Sequence, residues 1–264
     1  MRIVVPMKSV PDLVEEIELT ADGTGIEREQ LKFVLNEWDA QALEEALLLK
    51  DSAGAEVVAV GCAVDPEIDQ ILYTALAKGA DAAVRLADAR AGSPLGPAGI
   101  PVAARAALLA AYLEDQPADL VISGVQAPDD PDGQLPPTLA ALLGLPHVSV
   151  VVAVEAEGDG VTVRQEFAGG LSHELWVGLP AVIGVQSARQ APRYAPISRI
   201  RQTIAAGGLG ELAVTPREPL RGPVPRRMLQ PETTGRAEML AGSPGDVAEQ
   251  IVELLRSRGL VKGE

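Results

Sequence analysis

The chain has 264 residues, 47% hydrophobic but only 3% aromatic, with a formal net charge of −15 and an isoelectric point near 4.6. A core built from Ala, Val, Leu and Ile suits helices packed on a parallel sheet, and the acidity excludes nonspecific nucleic-acid binding, where phosphates would be repelled. A single cysteine, Cys62, excludes an intrachain disulfide and a cysteine-based metal cluster, and no apolar run reaches the roughly 20 residues that cross a bilayer. Met1 leads straight into a strand pattern without signal-peptide character, so the expectation is a soluble cytoplasmic protein with no membrane insertion.

Taken in order, residues 2–6 read as a first strand, and 16–20, followed by Ala-Asp-Gly, as an exposed hairpin arm. Asn36 has the character of an N-cap to a helix whose periodicity runs from Trp38 to Lys50 through Ala42, Leu43, Ala46, Leu47 and Leu49. A buried strand over 56–61, a helix from Pro66 to Lys78, a strand over 83–86, a helix from Pro101 to Glu114 and a strand over 120–123 follow. Alternation of this kind predicts an α/β fold with a parallel sheet flanked by helices, Rossmann-type in class. After Pro146 the strand-like segments 148–154, 161–164, 174–177 and 181–185 have few helices between them and are expected to extend the sheet in an antiparallel sense.

Composition divides the chain into a body over 1–190, the domain that carries the nucleotide-binding loop read below, and a separate arm over 191–264. The first part carries 11 basic and 29 acidic side chains, the second 11 and 8, so net charge changes from −18 to +3. The arm reads as loop, punctuated by Pro192, Pro196, Pro216, Pro219, Pro223, Pro225 and Pro231. It ends in an amphipathic helix opened by Ser243-Pro244, with Val247, Ile251, Leu254 and Leu255 on one face. Such a helix either wraps around a partner or packs back on its own domain.

The most informative stretch is Gly124-Val-Gln-Ala127-Pro-Asp129-Asp130-Pro-Asp132-Gly133-Gln134, between the strand at 119–123 and a helix beginning near Thr138. Open α/β sheets bind nucleotides at such a strand-to-helix loop, and free backbone N–H groups with the helix dipole favour a phosphate there. Neither a GxGxxG nor a GxxxxGK[ST] pattern is present, so the loop is not an ordinary dinucleotide fold or P-loop. Asp129, Asp130 and Asp132 read as a solvated turn in preference to a metal site. Cys62 reads as a small buried apolar residue in preference to a redox centre, and His147 and His173 have no partner in a catalytic pattern.

In order along the chain, Val4–Asp12, Asn36–Ala46, Thr74–Asp81, Gly124–Gln134, Gly169-Gly170, Leu179–Val182 and Pro192-Arg193-Tyr194 together resemble the β subunit of electron transfer flavoproteins, over nearly the whole length. The resemblance implies an adenine-nucleotide α-hydrolase-like fold and an electron-carrier subunit that is not a self-contained enzyme and has no catalytic residues of its own. It implies a heterodimer with a larger α subunit that holds most of the FAD, with electrons arriving from flavin dehydrogenases and leaving toward a quinone-linked oxidoreductase or a ferredoxin-type carrier. Carried over by motif, the β pocket takes AMP and is formed by Pro6, Asn36, Asp39, Cys62, Ala127, Asp130, Gly133, Gln134 and Leu135.

Lys8 either balances phosphate charge or is an exposed surface charge. Asn36 either offers its amide to an adenine edge or caps its helix. Leu13 and Trp38 fall where the family approaches the α-subunit flavin, Trp38 either stacking near it or packing the interface. The resemblance implies that the arm contacts the α subunit, and 191–201 resembles the loop that docks dehydrogenases, with Pro192, Arg193, Tyr194 and Ile197 as partner-binding residues and Ile197 as its aliphatic anchor.

Three positions depart from the family pattern. Leu135, followed by Pro136-Pro137, stands where AMP-binding members have a threonine; Ala168 replaces an acidic residue; and the basic cluster after the recognition loop is thinned to Arg199 and Arg201. Leu135 motivates an alternative, a bifurcating β subunit with a second FAD in place of AMP. A more remote alternative is a stand-alone adenine-nucleotide-binding module.

Overall fold

The central strands of a nine-stranded sheet alternate apolar side chains to its two faces, and helices cover both faces there. The computed structural model describes residues 1–29, 31–65, 67–89, 100–216, 226–231, 237 and 239–261. The helix start expected at Pro66, and Pro219, Pro223 and Pro225 of the arm, lie outside the described residues.

In chain order the sheet strands are β1 (Arg2–Met7), β4 (Glu56–Cys62), β5 (Ala82–Asp88), β6 (Leu120–Gly124), β7 (His147–Glu157), β8 (Gly160–Phe167), β9 (Leu171–Gly178), β10 (Ala181–Val185) and β11 (Leu209–Val214). A separate antiparallel pair, β2 (Ser9–Pro11) and β3 (Phe33–Leu35), follows β1. The order across the main sheet is β11-β5-β4-β1-β6-β10-β7-β8-β9. The helices of this unit are α1 (Glu37–Ala53), α2 (Ile68–Lys78), α3 (Val102–Asp115), α4 (Leu135–Leu143) and α5 (Ile197–Ala206).

The period of two along the strands sorts the core into two layers. Ile3, Val5, Val57, Ala59, Leu120, Ile122, Ala181 and Ile183 pack with Leu43, Leu47 and Leu72 of α1 and α2. Val4, Val58, Val60, Val121 and Val182 pack on the opposite face with Leu108, Leu109, Tyr112 and Leu139 of α3 and α4. Strands buried on both faces read as unbroken apolar runs, as a parallel sheet requires.

The fold class expected from the sequence is the one found, with one difference in strand direction. Of the segments after Pro146, only β8 runs against the rest of the sheet, pairing antiparallel with β7 and with β9; β7 and β10 join parallel, β10 between β6 and β7. β7 is reached through α4, as a parallel crossover requires, whereas the chain reaches β10 through β8 and β9 with no helix, and the run of helix-free strands after β7 makes all four read as antiparallel. The segment at 16–20 forms the expected hairpin in short form, Leu19 bridging Ile26 antiparallel across a turn.

The stretch after Ala191 is also more ordered than its prolines suggest. It crosses α1, forms α5 against α2, and adds β11 as a parallel edge strand on β5. Two acidic side chains of α1 pin this crossing. Glu45, fully buried, accepts from the Arg189 amide and Nε at 3.0 and 2.8 Å and from the Val154 amide at 2.7 Å. Glu44 accepts from the Arg193 amide and Nε, and Asp51 from its Nη2. Residues 1–228 thus form one compact unit, extending past the change of composition at 190.

Residues 229–264 form the second unit. Its helix α6 (Pro244–Ser257) opens with a reciprocal cap, Ser243 Oγ accepting from the Asp246 amide while the Asp246 carboxylate accepts from the Ser243 amide. Among the described residues no helix is long and apolar enough to cross a membrane.

Candidate functional site

The chain runs from β1 outward to β4 and β5, then returns to place β6 on the other side of β1. A crevice therefore opens at the carboxyl ends of β1 and β6, the switch point at which open α/β sheets take their ligands. The end of β1, the start of α1, the end of β4 and the loop after β6 converge there.

Asn36 immediately precedes α1 and is 1% exposed. It occupies the N-cap position, but its side chain makes no capping hydrogen bond. Its Nδ2 instead donates to Asp39 Oδ1 at 2.9 Å and to the Gln126 carbonyl at 3.0 Å, tying the helix to the loop. Its Oδ1 is buried with no protein partner. An orphaned buried acceptor costs free energy unless a donor arrives.

Asp39 also accepts from the Lys8 amide at 3.0 Å. Burial pushes its carboxyl up to about 6, against the opposing pull of Lys8, the Asn36 amide and Arg105. Gly124 makes this close approach possible. A Cβ there would stand 2.5 Å from Asp39 Oδ1 and 2.8 Å from Trp38, so the first turn of α1 can lie on the end of β6 only over a glycine.

The Gly124–Gln134 loop folds on itself through reciprocal backbone hydrogen bonds between Ala127 and Asp130. Gly133 adopts φ +62°, and a Cβ on it would meet the Val125 carbonyl at 2.3 Å. The buried Asp130 carboxylate accepts from the amides of Gln134 and Leu135 at 2.9 and 3.1 Å. The Gly133 and Thr138 amides bond to backbone carbonyls, and Pro136 and Pro137 have no N–H. The expectation of free amides at this helix start is therefore corrected: from Gly133 to Thr138 every N–H has an internal acceptor, and the carboxylate of Asp130 already sits where an anion would.

Pro6, Met7, Lys8, Asp39, Val60, Cys62, Arg105, Leu109 and Leu135 line a pocket in the crevice. Lys8 is buried, not a surface charge, and its Nζ pairs with Asp129 at 2.5 Å. Arg105 is the residue that sequence reasoning missed. It is buried, and both its terminal nitrogens donate to the Asp65 carboxylate, at 2.6 and 2.7 Å. Burial opposes its charge, but the neighbouring acidic groups, Asp65 foremost with Cys62 and Asp129, together outweigh burial and hold the guanidinium protonated. Nothing in the Ala- and Leu-rich sequence around Arg105 marked it, because a lone arginine on a helix ordinarily reads as solvated. Burial pushes the Cys62 thiol up to about 11, leaving it protonated at neutral pH.

Of the residues singled out from sequence, Pro6, Asp39, Cys62 and Leu135 line this pocket. Asn36 bonds to its wall, and Ala127, Asp130, Gly133 and Gln134 build the adjoining loop. Leu13 and Trp38 are not part of its lining: Leu13 is 62% exposed in the turn after β2, and Trp38 is half-buried in the first turn of α1. Tyr194 and Ile197 are exposed at the start of α5, with Pro192 half-buried. The Arg193 guanidinium is already engaged by Glu44 and Asp51. His147 Nε2 lies 2.8 Å from Ser149 Oγ, and the His173 ring is tilted against Phe167, so both have structural neighbours.

Residues 24–211 match the family profile of the electron transfer flavoprotein domain. The chain is 32% identical to the electron transfer flavoprotein subunit beta of Methylophilus methylotrophus, over 97% of this chain and 98% of that protein. It is 30% identical to the subunit of the same name from Bradyrhizobium diazoefficiens, over 99% and 100%. It is 33% identical to that of Bos taurus, over 80% and 83%.

Proposed function

The chain belongs to the electron transfer flavoprotein β-subunit family, and from that premise we propose that it works as a heterodimer with an α subunit. The pair passes electrons from flavin dehydrogenases toward a quinone-linked oxidoreductase in the cytoplasm. FAD, held mostly by the α subunit, supplies the reversible uptake and release of electrons. This chain supplies the crevice at the ends of β1 and β6, which takes an adenine nucleotide, AMP, as a structural ligand.

The single observation that carries the nucleotide reading is the buried Asn36 Oδ1, left without a protein partner on a side chain that bonds to the pocket wall at Asp39. An adenine amino group is the donor that this oxygen lacks. Around it, Pro6, Asp39, Cys62, Ala127, Asp130, Gly133, Gln134 and Leu135 form the walls and the loop. Leu13, exposed in the turn after β2, and Trp38, half-buried in the first turn of α1, fit a role toward the α-subunit flavin. Pro192, Arg193, Tyr194 and Ile197 fit a dehydrogenase-docking surface, in which Arg193 anchors the segment to α1 and Tyr194 and Ile197 meet the partner.

A second reading has its own observation. Leu135 presents an apolar side chain where a phosphate-binding hydroxyl would stand, and the amides beside it are occupied. That favours a second FAD, whose phosphates lie mid-ligand, and with it electron bifurcation. The stand-alone nucleotide module remains the remote third reading, and it requires a stable monomer without an α subunit.

Acid-released nucleotides counted per heterodimer test these readings. One FAD with one AMP supports the electron shuttle. Two FAD without AMP reject it in favour of the bifurcating form, and a chain that never co-purifies with an α subunit rejects both.

A further inference from the structure

The cations lining the crevice are not equivalent. Arg105 is held by both oxygens of a carboxylate as buried as itself, so its charge is matched inside the protein and cannot be released without stranding Asp65. Lys8 is different. Its side chain is 6% exposed, while the carboxylate that pairs with it, Asp129 on the loop after β6, is 44% exposed. Asp129 can turn into water at little cost, but the ammonium has no such exit. Any anion that enters the crevice can therefore replace Asp129. The start of α4 cannot compete for that anion, because the Gln134 and Leu135 amides are held by Asp130 and Pro136 and Pro137 have none.

We infer that Lys8 is the phosphate-recognising residue of the pocket, and that Asp129 occupies its ammonium until the 5′-phosphate of an adenine nucleotide displaces it. The inference rests on the adenine-nucleotide reading above, and it holds for the phosphate of AMP and for the adenosine-side phosphate of FAD. Phosphate recognition here is thus a side-chain exchange at the end of β1, and not the capture of an anion by a helix terminus.

The test uses the complex with the α subunit, wild type and carrying Lys8→Met or Asp129→Asn. Bound AMP and FAD are counted as purified, and nucleotide-depleted complex is titrated calorimetrically with AMP and with adenosine. Lys8→Met is expected to empty the pocket. AMP falls from one to near zero if AMP is the occupant, or FAD from two to one if FAD is. Its affinity for AMP drops roughly 10- to 100-fold, the worth of one charge-assisted hydrogen bond, while adenosine binds as in wild type and so reports an intact fold. Asp129→Asn removes the competing anion and is expected to tighten AMP severalfold with adenosine unchanged. Equal losses for AMP and adenosine in Lys8→Met, no loss for either, or weaker AMP binding in Asp129→Asn would overturn the inference while leaving the pocket a nucleotide site. A wild-type complex that takes up neither AMP nor adenosine and holds one FAD overturns the nucleotide reading itself, and this inference with it.

Discussion

Asp39 couples the pocket to pH. Its carboxyl is displaced from an ordinary value of 3.8 to about 6, which amounts to about 3 kcal/mol. The folded chain binds this proton more tightly than the unfolded chain. The stability it contributes is therefore complete below about pH 4 and is lost as pH rises through about 6. The difference in unfolding free energy between wild type and Asp39→Asn, measured by urea denaturation from pH 4 to 7, is expected to shift against wild type as pH rises; a flat difference would show that the carboxyl titrates normally. Gly133 carries a steric prediction. Gly133→Ala forces a side chain into φ +62° with a Cβ at 2.3 Å from the Val125 carbonyl. A cost of about 1–3 kcal/mol is expected, read by urea denaturation, with nucleotide lost from the purified complex. At this scale the sequence singled out a loop and an asparagine that the fold brings together, but not the hydrogen bonds that each makes. The capping preference of Asn36 was legible, yet its side chain serves Asp39 and Gln126, partners 3 and 90 residues away. Arg105 and Asp65 were invisible because a buried ion pair leaves no periodic signature.

Among the elements, α1 does the most to connect distant parts of the chain. Its apolar face was readable from the spacing of Leu43, Leu47 and their neighbours, but nothing in that spacing marks Glu44 and Glu45 as buried. Both are buried, because the chain leaving β10 must cross α1 to reach α5 and the far edge of the sheet. Glu45→Ala would leave the Val154 amide without its acceptor and Arg189 without its main counter-ion, at a cost of about 2–4 kcal/mol. Glu45→Gln, which keeps an acceptor, is expected to cost less than half as much. Urea denaturation of the two variants compares them, and equal losses would mean that the carboxylate merely fills space. The same crossing explains why β11 could not be read. Leu209–Val214 is short, follows two glycines and lies among prolines, and only its parallel register with β5 makes it a strand. β7 and β10 were found as strands and misjudged in direction, since direction depends on which neighbours they meet and not on their own side chains.

On the scale of the whole molecule, the chain divides into residues 1–228, which hold the sheet and both apolar layers, and residues 229–264, whose described helix is α6. A helix of 14 residues is marginal alone in water, and the Ser243–Asp246 cap adds only about 1 kcal/mol. The stripe of Val247, Ile251, Leu254 and Leu255 must therefore gain its stability by being covered, and Ile251 and Leu254 are exposed in the isolated chain. Proposing the α subunit as that cover makes a sharp prediction, because the first unit has a core that does not depend on the second. A chain ended after Met228 is expected to fold with a melting temperature within a few degrees of the full chain, yet to lose co-elution with the α subunit on size exclusion. Loss of folding on truncation would place α6 in the chain's own core. Retained co-elution would put the α-subunit surface on the first unit alone and leave the stripe to some other partner.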